Sequence, residues 1–119
     1  ITDEVDQRGV KDGLEFAILT NEITEAWAGL TTKEYKNLKG LKKENLRDNM
    51  TNLELVLNML AETATTEISH KREPRGLEQN KQVARVGGTV AGNARQEIED
   101  KTGQKVITSS RFKKLRGER

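Results

Sequence analysis

The sequence predicts an all-α protein, about four helices in a compact or intertwined bundle followed by a basic, flexible C-terminal tail. Three observations carry this expectation. Apolar residues recur at helical spacing through three long stretches, and two Thr-x-x-Glu signals mark helix starts. Only Val106, Ile107 and Thr108 read as extended, too short a run to build a sheet. The apolar fraction is 33% and the aromatics are only Phe16, Trp27, Tyr35 and Phe112, so the core must come from Leu, Ile, Val and Ala on closely packed helices.

The first helix is expected over residues 12–28, where Phe16, Leu19, Ile23, Ala26 and Trp27 fall on one 3.6-residue stripe that Leu14 and Ile18 widen. Gly29 suits the left-handed closing position and Leu30 its hydrophobic contact. Thr31 with Glu34 forms a capping box, with Thr32 as the rival cap, and the short helix it starts should stop at Gly40. Leu41 to Glu44 form a connector, and a single turn from Lys43 or Asn45 reaches Asp48. Thr51 with Glu54 is the clearest capping box in the chain.

The helix that Thr51 opens carries Leu53, Val56, Leu57, Leu60, Ala61 and Ala64 on one stripe, with Leu55 and Met59 beside it. A helix apolar over most of its circumference is buried on several sides, which favours a central place or a subunit interface. Its end is blurred by β-branched threonines, and Pro74 with Gly76 makes a firm break. A long helix should then run over residues 77–101 to Gly103, with Val83, Val86, Val90, Ala94 and Ile98 on one face. Residues 1–104 thus read as one helical module and 105–119 as the basic tail. The chain starts at Ile1 and reads as a fragment whose upstream domain is absent.

Charge is unevenly placed. Residues 1–30 carry net −5 and the remaining 89 carry net +7, which suits an anionic partner or head-to-tail self-association. The connection holds Lys33, Lys36, Lys39, Lys42, Lys43 and Arg47 against Glu34 and Glu44, a candidate phosphate-contact surface for DNA. The next helix begins TNLELVLNML, a core sequence and not a base-reading one, so sequence-specific recognition is not expected. The tail adds Lys105, Arg111, Lys113, Lys114, Arg116 and Arg119.

Little here suits catalysis. There is no cysteine, and His70 is the one histidine, set beside Lys71 and Arg72. Ser69 and His70 are neighbours on a helix and point too far apart to form a dyad. The carboxylates Glu97, Glu99 and Asp100 lie on a charged run. The reading is a non-enzyme with no cofactor and no metal. No apolar run approaches the ~18–20 residues of a membrane span, so a cytoplasmic protein without a membrane partner is expected. Gly87, Gly88 and Gly92 sit inside a helical pattern as G-G-x-x-x-G, which is not a dinucleotide loop. With Ala84 and Ala91 they form a small-residue face for close helix packing. Self-association is expected through Leu53, Leu55, Val56, Met59, Leu60, Val83, Gly88, Val90 and Gly92, making the chain a homo-oligomer.

The stretch EFAILTNEITEAWAGLTTKEYKNLKGLKKENLRDNMTNLELVLNMLAETATTEI, followed by GLEQNKQVARVGGTVAGNARQEIEDKTGQ, resembles the C-terminal region of the DNA-damage-inducible protein D family. Related phage and bacterial regulators carry a BRO-type N-terminal domain. The likeness covers roughly residues 9–110. It implies an SOS-linked or phage-type DNA-damage regulator whose DNA-binding domain lies upstream. This module would then self-associate and add DNA contact, or alternatively dock onto a recombination or repair protein. Many relatives carry a Gly-Tyr-x-Gly-Leu-Tyr-like run where this chain has NEITEAWAG.

Overall fold

The computed structural model describes residues 13–111. Four α-helices are present: α1 (Gly13–Ala28), α2 (Thr32–Lys39), α3 (Asn52–Arg72) and α4 (Gly76–Thr102), with a 3-10 turn at Arg47–Asn49 between α2 and α3. The expected all-α architecture is observed, and no strand occurs among the described residues. The basic residues 112–119 and the acidic opening of the chain lie outside them.

Both capping boxes form. Thr31 Oγ1 accepts from Glu34 N at 3.1 Å while Glu34 Oε1 accepts from Thr31 N at 2.9 Å. Thr51 and Glu54 repeat the exchange at 3.3 and 2.9 Å. Each box satisfies two amides that a helix start would otherwise leave open. Thr32 is the first residue of α2 and not its cap; its amide donates to Asn21 Oδ1 at 2.8 Å. The end of α3 is sharper than its threonines suggest. Thr65 and Thr66 turn their hydroxyls back onto the carbonyls of Ala61 and Glu62, and the helix runs on to Arg72. Glu73 closes it in the left-handed region at φ 51°, and Pro74 follows.

The three long helices form the body, with α4 packed along both α1 and α3. Glycines make this possible. A Cβ on Gly87 would meet the backbone of Thr65 at 2.6 and 2.7 Å. One on Gly88 would meet Ile23 O at 2.7 Å, and one on Gly92 would meet Ala26 O at 2.8 Å. Gly87 therefore faces α3, while Gly88 and Gly92 face α1. The small-residue stripe joins helices within one chain.

Trp27 is fully buried at the centre, its Nε1 donating to Asn58 Oδ1 at 3.1 Å. Tyr35 meets it edge-on, with ring centroids 6.1 Å apart. Around this pair gather Ile23, Leu41, Leu46, Met50, Leu57, Ala61, Ala84 and Ala91. Val106 joins them, so the stretch after Gly103 belongs to the packed body as far as it is described.

Candidate interaction site

Lys39 reads in sequence like the other lysines of the basic stretch, but the structure buries it. Its side chain and that of Glu54 are both wholly inaccessible to solvent, and Lys39 Nζ stands 2.7 Å from Glu54 Oε1. Glu54 Oε2 accepts a second contact from Nζ at 2.9 Å and also the amide of Thr108 at 3.2 Å. Lys39 Nζ donates further to the carbonyl oxygen of Ser110. The ammonium lies 5.9 Å from the Tyr35 ring centroid. Buried charge is tolerable only when it is paired and bonded this fully.

Lys39 is thus withdrawn from the proposed phosphate surface: its charge is spent inside the protein. Arg47 is half-exposed but engaged, its Nη1 donating to both oxygens of Glu62 at 3.0 and 3.1 Å. Lys33, Lys42 and Lys43 are exposed, and Lys36 is half-buried. The periodic spacing of lysines hid this division of labour. The signal that could have found it is Glu54 itself, a capping residue just inside the most apolar helix.

The Tyr35 hydroxyl is buried beside this pair without reaching hydrogen-bond geometry. Burial first, and then the nearby Glu54 charge, push its pKa above the ordinary phenol value. A second carboxylate holds the segment after α4, a strap over residues 104–110. Glu99 accepts the Val106 amide at 3.0 Å and pairs with Arg95 at 3.1 Å, and Arg95 Nε also donates to Trp27 O at 2.8 Å. The Val106 hydrogen bond, assisted by Arg95, holds the Glu99 pKa below its usual range despite partial desolvation. The backbone of residues 106, 108 and 110 is therefore fastened in turn to Glu99, Glu54 and Lys39.

The expected self-association residues divide by burial into three groups. Val83, Gly88 and Gly92 are buried within this chain, Gly88 and Gly92 against α1, and are closed to a partner. Leu55 is half-buried and packs on the core. Leu53, Val56, Met59 and Leu60 on α3 and Val90 on α4 are 38–59% exposed, and Val86, outside the expected set, is 37% exposed. Helix neighbours differ by about 100°. Gly87 faces α3 and Gly88 faces α1, so Val86 points to the side of α4 away from α1. Leu60 lies opposite the Glu62 side of α3, which faces α1 across a cleft. Leu53, Val56 and Leu60 at i, i+3 and i+7, with Val86 and Val90, thus share the hairpin face remote from α1.

That cleft, of about 480 Å³, is bounded by α1, α2, the 3-10 turn and α3. Phe16, Ile23, Leu46 and Met50 supply apolar walls, and Lys36, Arg47 and Glu62 stand at it. Sequence reasoning missed it, because its walls come from four separated elements.

The family model described as the DinD C-terminal domain matches residues 1–108. No curated protein and no solved structure matches the chain. No helix among the described residues is long and apolar enough to cross a membrane.

Proposed function

The chain belongs to the DinD C-terminal domain family, a module of DNA-damage-inducible proteins, and from that premise we propose that it is a non-enzymatic self-association unit. The observation that carries this reading is the apolar face of the α3–α4 hairpin, where Leu53, Val56, Leu60, Val86 and Val90 stand exposed together. Contiguous apolar surface of this kind marks an interaction site. Between its apolar residues stand the uncharged Thr63, Gln82, Thr89 and Asn93, and Glu67 and Glu97 continue the same two stripes. A twofold contact places the same patch against itself, so the uncharged stretch around Leu60 and Val90 can meet its own copy without like-charge repulsion. A second copy of this chain is therefore the partner that fits.

The mechanism is positioning: paired modules would hold their attached domains in a fixed arrangement on DNA. Lys33, Lys36, Lys42 and Lys43 would add phosphate contacts of low specificity, each weakened by salt. The alternative reading, docking on a recombination or repair protein, draws on the cleft.

Sedimentation velocity over a range of concentrations tests the main reading. The native chain should gain mass with concentration. Leu60→Asp with Val86→Asp should remain a monomer of unchanged helix content. Equal masses for the two proteins at every concentration would end the self-association proposal. Anisotropy with labelled duplex DNA tests the auxiliary contact: Lys33→Glu, Lys42→Glu and Lys43→Glu together should abolish salt-sensitive binding.

A further inference from the structure

We propose that the cleft between α1, α2, the 3-10 turn and α3 is a docking site for an acidic peptide carrying one bulky apolar side chain. The proposal concerns the opposite face of the molecule from the α3–α4 ridge and does not depend on self-association.

Size and lining come first. A cleft of about 480 Å³ lies within the range of ligand pockets, and Phe16, Ile23, Leu46 and Met50 offer walls for a large apolar group. Polar capacity is left over. The Thr32 hydroxyl is buried there with no hydrogen-bond partner among the described residues, and such a group gains from a ligand that supplies one. No carboxylate among the described residues pairs with Lys36.

Charge selects the ligand. The lining carries Lys36 and Arg47 against one acid, Glu62. Glu62 also accepts from Asn58 Nδ2 at 3.3 Å, and Asn58 is held by Trp27, so the acid that fixes Arg47 is itself anchored in the core. Arg47 engages Glu62 through Nη1 and keeps its remaining N–H donors for a second carboxylate. Lys36 supplies a point charge across from it. A peptide carboxylate can use both cations and the Thr32 hydroxyl while an adjacent side chain fills the apolar space. A nucleic-acid strand fits worse, because its phosphates would leave the apolar walls unused.

The test is fluorescence anisotropy of the 119-residue chain with a fluorescein-labelled tetrapeptide, Asp-Asp-Asp-Phe. The controls are Asp-Asp-Asp-Ala and Lys-Lys-Lys-Phe. Saturable binding of the first should weaken at least tenfold in each control. Lys36→Glu reverses one of the two cations that line the cleft, and Thr20→Trp fills the cleft from an exposed position on α1. Each should weaken the peptide at least tenfold while leaving helical circular dichroism and melting unchanged. Leu60→Asp, on the far face, should bind as the native chain does. The proposal is overturned by absence of saturable binding, by equal binding of the three peptides, or by indifference to both cleft variants. A single-stranded oligonucleotide binding in place of the peptide, and lost in the same variants, would equally overturn it.

Discussion

Replacing Lys39 with methionine is the most informative single perturbation of this fold. The substitution keeps the chain length and apolar stem but removes the only cation within bonding distance of Glu54 among the described residues. Glu54 would then retain the amides of Thr51 and Thr108, at 2.9 and 3.2 Å, as its hydrogen-bond donors. Stranding one partner of a buried ion pair costs about 3–5 kcal/mol. The Ser110 carbonyl also loses its donor. For a domain of this size each kcal/mol moves the melting midpoint by roughly 4–8 °C, so Lys39→Met should melt at least ~12 °C lower. Glu54→Gln in the same chain removes the stranded charge but keeps an oxygen to accept from Thr51. The double variant should therefore recover much of the loss, with a coupling energy of roughly 1–3 kcal/mol. Urea unfolding followed by circular dichroism measures all four corners of the cycle. If Lys39→Met lies within 1 kcal/mol of native, or the two losses simply add, the ion pair does not organise this core.

Three other outcomes follow from the same geometry. Gly87→Ala should destabilise by about 1–3 kcal/mol in urea, because the added methyl meets the Thr65 backbone and outweighs the roughly 1 kcal/mol gain in helix propensity. Gly13→Ala, with open space around it, should be neutral or stabilising. Tyr35 is the one tyrosine, so absorbance at 295 nm reports it alone. Its raised folded pKa means the neutral ring adds stability that is complete below pH ~10 and is lost as pH rises further, so ionisation should coincide with helix loss. The opposite sign holds for Glu99. Its depressed pKa gives strap docking that is complete above the ordinary carboxylate value of about 4.3 and lost as pH falls through the lower folded value. The Val106 amide resonance should shift over that acid range, and Glu99→Gln should remove the transition.

Helix positions were legible because each boundary rests on neighbouring residues. Thr31 with Glu34, Thr51 with Glu54, Gly40 and Gly103 act within one or two turns. The small-residue face was legible too, since Gly87, Gly88 and Gly92 have no other use inside a helix. What was not legible is pairing at a distance. Nothing in the order of residues says that Lys39 finds Glu54 while Lys42 and Lys43 stay in water, since all three are lysines in one basic run. The valines of α4 show the same limit: one stripe in sequence is divided by the fold into buried Val83 and exposed Val86 and Val90. Which flank of a stripe is covered depends on where α1 and α3 lie, and periodicity does not carry that information.

The strap has a consequence for the order in which this protein is made. Domains begin to fold while the chain is still emerging. Lys39 and Glu54 leave the ribosome before the rest of α3 and before α4. The amide of Thr108 and the carbonyl of Ser110 arrive last. Until then the nascent helices hold a charge pair whose bonds are incomplete, open on the side the strap will close. Emergence of residues 108–110 from the ribosome is thus the step that seals the core, and a nascent chain exposed only as far as the residue before Thr108 would hold an assembled but unsealed bundle.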